Sequence, residues 1–224
     1  MSGEGGKPRA WIRLPSGGRL DLINPDPQAW TDTDLAIRLS RTYRWGGESS
    51  WTHPLSVAQH SLTVLALRRQ MTAEALSIDA ALLELLHDAE EGFLGFDCIS
   101  PLKAVLGDPF RAVGDRLTRA IFARYSLVPW SGEAYPLHKR ADAIAAASEA
   151  LRCAGWTLAE IRNELGITHP ILSVDPLASI YDCAPWEPWP AELAAERFHA
   201  ELTALVAECG DSGFVLPCTY PVTH

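Results

Sequence analysis

Apolar positions recur at three- and four-residue steps along most of the chain, the spacing of helices that bury one face. Leu35, Ile37 and Leu39 mark a short helix with Asp32 or Asp34 as its cap. Leu55, Ala58, Leu62 and Leu65 predict a helix from Pro54 to about Arg69, with the proline in its first turn. Ser77 is placed to cap a helix over Ile78–Glu91, where Ala81, Leu82, Leu85 and Leu86 form the apolar face. Asp108-Pro109 opens another that runs to Tyr125. Pro136 opens one that runs to Cys153 and stops at Gly155. A short helix follows Thr157, and a last one runs from Pro190 to about Glu208.

Alternating patterns are confined to the start of the chain. Ala10–Leu14 and Arg19–Leu22 flank Pro15-Ser16-Gly17-Gly18 and predict a small β-hairpin. The prolines of Asn24-Pro25-Asp26-Pro27 and of the stretch Asp182–Pro190 predict irregular loops. The expected fold is all-α, a helical bundle with a small N-terminal β-hairpin. Residues 1–9, rich in glycine and charge, read as a disordered leader, 10–210 as a single domain and 211–224 as a C-terminal tail.

Composition narrows the functions. The 224 residues carry 19 Lys+Arg against 28 Asp+Glu, a formal net charge of −9. Affinity for a phosphate backbone comes from Lys and Arg, so a nucleic-acid polymer is not the expected partner. A small phosphorylated ligand stays open, because it needs only a few local cations or a metal. No apolar run approaches the roughly 20 residues of a membrane span, and the start lacks a secretory signal, so a cytoplasmic location is expected. The five cysteines are odd in number and widely spaced, with no CxxC, which favours reduced thiols over a disulfide framework or a thiolate zinc site.

The candidate chemistry lies on three of the expected helices. His60, the adjacent pair His87-Asp88, and Asp142 are each set among apolar neighbours. A buried carboxylate needs a partner or a metal. Two imidazoles and two carboxylates suit a borderline divalent ion such as Mn²⁺, Fe²⁺, Co²⁺, Ni²⁺ or Zn²⁺ better than a hard Ca²⁺ site, and Mg²⁺ also stays open. An octahedral ion would keep two positions for a substrate oxygen and a water. Glu91 lies four residues after His87, on one face if the helix is continuous. Taken singly, His60 reads first as a satisfied core histidine and Asp142 as a helix-surface carboxylate. Their ordered set on successive helices is more specific.

That set, H…HD…D, resembles the HD-domain phosphohydrolase superfamily. Within it the chain looks most like the bacterial 5′-deoxynucleotidases and the related dATP triphosphohydrolases. Arg44-Trp45-Gly46-Gly47 ahead of Val57-Ala58-Gln59-His60-Ser61 is similar to the family's Arg-aromatic pair and V-A-E/Q-H-S helix. Glu91 matches the H-D-x-x-E spacing. Asp97 through Lys103 is similar to the G-D-x-x-x-P-x-K loop. Phe96 separates Gly95 from Asp97, however, so counting from either end puts Phe96 or Asp97 at the family's aspartate.

The resemblance covers residues 10–200 and implies an HD-domain helical bundle with one divalent metal ion held by His60, His87, Asp88 and Asp142. It implies Glu91 and Asp97 as catalytic residues. Arg44, Trp45, Lys103 and Lys139 would contact substrate, with core packing or a solvated surface as the other reading of each. Trp51, His53, Trp186 and Trp189 are further candidate walls of a base pocket. Glu90, His138, His169 and His199 show no such context. The implied substrate is a 5′-deoxynucleoside monophosphate that releases phosphate. The alternatives are a dNTP triphosphohydrolase releasing tripolyphosphate, or a metal-binding protein with a regulatory role. A homo-oligomer, a dimer, is also implied.

Overall fold

The computed structural model describes residues 10–211; the expected leader at 1–9 and the expected tail beyond 211 lie outside them. The chain is mostly helical and opens on a small antiparallel hairpin. In that hairpin β1 (Trp11–Arg13) pairs with β2 (Arg19–Asp21), Ile12 opposite Leu20. Gly17 supplies the positive φ of the turn, 92°. Ser16 fastens the turn to the next element by donating from its backbone N–H and hydroxyl to Asp34, at 2.7 and 2.9 Å.

Helix α1 (Asp32–Ser40) is capped by Thr31, rather than by Asp32 or Asp34. The Thr31 hydroxyl accepts from the Asp34 N–H, and the Asp34 carboxylate accepts from the Thr31 N–H, so two otherwise orphaned donors are satisfied at once. A 3₁₀ turn at Arg44–Gly47 follows, with Trp45 and Gly46 at φ 58° and 64°. The ends of the loop it begins are tied together: the Arg44 N–H donates to the Leu55 carbonyl and the Val57 N–H to the Thr42 carbonyl, at 2.9 and 2.8 Å. Helix α2 (Val57–Gln70) begins later than Pro54 because the Ser56 side chain caps it by accepting from the Gln59 N–H. It is buried from Val57 to Arg68, so its polar residues Gln59, His60 and Arg68 lie inside the molecule.

Helix α3 (Ile78–Leu85) is capped by Ser77 as expected, but it does not run to Glu91. The backbone leaves helical geometry at Leu86 and Asp88, and α4 (Ala89–Leu94) restarts beyond them. Gly92 lets α4 approach α1, since an added Cβ would come within 3.0 Å of the Leu39 side chain. Helix α5 (Ser100–Arg124) starts earlier than expected and kinks at Gly107, φ 69°, just ahead of Pro109. Helix α6 (Ala134–Arg152) ends before Gly155, φ 73°. Thr157 builds a second capping box on α7 (Leu158–Asn163). After α8 (Ala178–Tyr181) the stretch 182–190 is irregular, and α9 (Ala191–Asp211) runs further than expected, into the first residue of the expected tail.

The main core joins α1, α2, α3, α4, α5 and α9 through residues such as Leu35, Leu62, Leu82, Phe93, Ile121 and Phe198. A smaller cluster of Val64, Leu67, Ala141, Ile144 and Ala145 locks α2 to α6. Together they set α2, the α3–α4 break and α6 side by side. Among the described residues, no helix is long and apolar enough to cross a membrane.

Candidate metal centre

His60, in the first turn of α2, is fully buried. Its Nε2 lies 3.3 Å from His87 Nε2, 3.3 Å from Asp142 Oδ1 and 3.8 Å from Asp88 Oδ2. His87 Nε2 lies 3.1 Å from the same Asp88 oxygen. All four expected metal ligands are therefore brought together. His60, His87 and Asp88 each offer a ligand atom within 4.8 Å of the others, a cluster able to hold a metal ion, and Asp142 joins it through His60.

The other ring nitrogens fix what these atoms can do. His60 Nδ1 sits 2.9 and 3.0 Å from the two Glu149 oxygens, and His87 Nδ1 sits 2.8 Å from the Glu84 carbonyl. Carboxylates and carbonyls only accept, so both Nδ1 atoms carry the proton. In the neutral rings both Nε2 atoms then present lone pairs to each other and to two carboxylates. Such a convergence of acceptors needs a positive charge. Without a cation, protons supply it. Burial and Arg44 work against protonation of His60, yet Glu149 and Asp142 prevail and raise it to about 9. Burial likewise opposes the rise at His87, and Asp88 drives it. Asp88 and Asp142 sit well below the ordinary carboxylate range: burial opposes this in both, and His87 and the His60 hydrogen bond respectively outweigh it.

Arg44 lies along the edge of this group. Its Nη1 is 3.8 Å from Asp88 and 3.6 Å from Asp97, and its Nε is 3.2 Å from Glu149. Burial works against its charge, but these carboxylates raise its pKa further. The following loop brings Asp97, rather than Phe96, toward Arg44. Asp97 faces Arg44, while Phe96 turns to the exposed side and meets the Phe110 ring at 5.8 Å. Glu91, only 2% exposed, accepts from Lys103 Nζ at 3.0 Å through Oε1, and its Oε2 has no partner. Burial, then Asp88 and Asp97, push Glu91 up to about 9 against the pull of Lys103. Lys139 is held by Asp142 at 2.5 Å. Each expected phosphate cation thus already faces a carboxylate, and an incoming anion would have to share or exchange it.

An uncharacterized protein of Rhodobacter capsulatus is 37% identical to this chain over 165 residues, which span 73% of the chain and 83% of that protein. The chain belongs to its family. No family model matches the sequence.

Several residues stand differently from their expectation. His87 and Glu91 do not share a continuous helix, since the break falls between them, and the burial of Glu91 on α4 comes from packing rather than from i,i+4 spacing. Glu90 is half-buried rather than solvated, and burial with Asp88 raises it to about 7. Trp45 packs on Trp156, ring centres 6.0 Å apart, with the Arg44 guanidinium 5.6 Å from its ring centre. Trp186 and Trp189 are buried packing residues. The Trp51 indole donates to the Arg152 carbonyl.

Three site residues escaped the sequence reading. Glu149, which orients His60, lies seven residues after Asp142, two turns along the same face of α6, and that spacing was the available signal. Glu84 looked like an ordinary helix glutamate. His138, one turn before Asp142, is buried, with its Nδ1 2.7 Å from Glu84 Oε2 and its ring centre 5.0 Å from that of His87.

Proposed function

We propose that this protein is a divalent-metal-dependent phosphohydrolase of the HD-domain type, acting on 5′-deoxynucleoside monophosphates and releasing phosphate. The observation that carries the reading is the convergence of the His60 and His87 Nε2 lone pairs with Asp88 and Asp142, each histidine pinned through Nδ1. Mixed imidazole and carboxylate donors fit Mn²⁺, Co²⁺ or another borderline divalent ion. Such an ion, when bound, would polarise a phosphoryl oxygen and neutralise charge that develops on it.

The chain's own residues supply the rest. Arg44 is buried beside the ligands and presents a planar donor fork suited to a phosphate edge. Lys103 and Lys139 stand on either side as further cations, each able to exchange its carboxylate for a phosphate oxygen. Glu91, raised to about 9, holds a proton at neutral pH and is suited to donate it to the leaving oxygen. Asp97 holds Arg44 in place rather than touching the phosphate.

The test is a panel of nucleoside mono-, di- and triphosphates incubated with the purified protein and Mn²⁺, Co²⁺ or Mg²⁺, with products resolved by chromatography. Phosphate released from deoxynucleoside monophosphates is the expected result. Tripolyphosphate from dATP would move the assignment to a triphosphohydrolase, and no turnover of any member would overturn the nucleotide reading.

A further inference from the structure

His87 is held from behind by an assembly of which the metal reading uses only the Glu84 carbonyl. Glu84 occupies the last full turn of α3. Were that helix to continue, its carbonyl would accept from the Asp88 N–H. The break at Leu86–Asp88 frees the carbonyl, and the His87 Nδ1–H takes it at 2.8 Å. The same residue's carboxylate is buried, only 1% exposed, and is gripped from two other helices. Arg68 Nε on α2 donates to Oε1 at 2.8 Å, and His138 Nδ1 on α6 donates to Oε2 at 2.7 Å. The His138 ring is itself wedged between Trp130, stacked at 4.3 Å and 22°, and the edge of His87 at 5.0 Å.

We infer that Arg68, Glu84 and His138 form a clamp that positions His87 for its ion, with His138 a positioning residue of the metal centre. The inference rests on the metal reading above. Glu84 acts at both ends: its main chain fixes which nitrogen of His87 carries the proton, and its side chain fixes where that main chain sits. A salt bridge made only for stability would have no reason to hang on the one peptide whose carbonyl sets the His87 tautomer. Partners of this kind that orient metal-bound histidines change metal affinity about 10–100-fold when removed.

The experiment is calorimetric titration of the full chain with Mn²⁺, with thermal melts in chelator as the fold control. His138→Ala should weaken Mn²⁺ binding about 10–100-fold. His138→Asn, whose amide N–H can replace Nδ1 toward Glu84, should recover most of that loss. Glu84→Gln, which presents an amide N–H to one of its two donors, should weaken binding as His138→Ala does. A merely structural histidine would lower the melting temperature of the chelated protein and leave the affinity of the folded protein unchanged. Wild-type affinity in folded His138→Ala overturns the inference, and so does His138→Asn as weak as His138→Ala. If His138→Ala does not fold, unchanged affinity in Glu84→Gln overturns it instead. If the wild-type chain itself binds no Mn²⁺, the metal reading fails, and this inference with it. A wild-type chain that binds while the variants match it removes the clamp alone.

Discussion

On the α2–α6 side of the cluster, Glu149 lies 2.9 Å from His60 Nδ1 and forms an ion pair with Arg44 Nε at 3.2 Å, and each of the three lies almost wholly inside the protein. On the α4–α5 side, Glu91 is as deeply buried, but one of its oxygens has no partner, and its lysine has a side chain 39% exposed. The first side is charge fixed in place. There the opposite signs are paired, so Glu149 stays ionised: burial opposes this, but His60 and Arg44 outweigh it. The second side is a carboxyl kept neutral by burial and like charges, beside a partly exposed cation. Holding an ion requires the first arrangement, and moving a proton requires the second.

The largest expected effect comes from removing a candidate ligand that the fixed side serves. His87→Ala should abolish measurable Mn²⁺ binding, and with it turnover, as read by metal analysis after gel filtration. Retention of wild-type metal content would dismantle the contrast altogether. Next, Glu91→Gln should keep the ion and lose about 10²–10⁴-fold in turnover, the usual share of a positioned acid or base. Unchanged turnover in Glu91→Gln would remove the second side from the proposed chemistry. Glu149→Gln sharpens the difference from the other direction, weakening Mn²⁺ binding about 10–100-fold with a smaller change in turnover at saturating metal. Lys103→Met should leave Mn²⁺ affinity close to wild type and mainly raise KM for the nucleotide; a large loss of metal would show that the two sides are not separable.

The smallest effect is thermodynamic. His60 is raised from 6.5 to about 9 and Glu91 from 4.5 to about 9, so the folded protein holds both protons more tightly than the unfolded chain. Their contribution is present at low pH and lost as pH rises: from 6.5 to 9 for His60, and over the wider window from 4.5 to 9 for Glu91. The melting temperature of chelator-treated protein should therefore fall between pH 6.5 and 9. Added Mn²⁺ should restore more of it at pH 8.5 than at pH 6, because the ion takes the place of the protons. A flat or rising profile in chelator would contradict the raised values.

The apolar spacing located the helices, and the caps at Ser77 and Thr157 were readable because a hydroxyl before an apolar run satisfies orphaned N–H groups. It could not reveal the α3–α4 break. Leu85, Leu86 and Ala89 continue the apolar period straight through it, and the break falls where His87 and Asp88 join the cluster. The candidate metal ligands were legible because histidine and aspartate among leucines and alanines are locally costly and ask for an explanation. Glu149, Glu84 and His138 were not, since glutamate is a good helix former that normally faces water, and only the packing of α2, α3 and α6 together encloses these residues.

The hydrogen bonds from Arg44 to Leu55 and from Val57 to Thr42 close the loop between them like a clasp. Arg44 and His60 are therefore held by the strap's base and do not depend on its length. Trp45, Ser50 and Trp51 are tied to Trp156, Cys153 and Arg152, but lineages could rewrite the unanchored positions between them and keep the geometry of the cluster intact, because a closed surface loop absorbs change at little thermodynamic penalty. Sequence divergence within this family should then be concentrated in the unanchored part of that strap, while the residues flanking it change slowly.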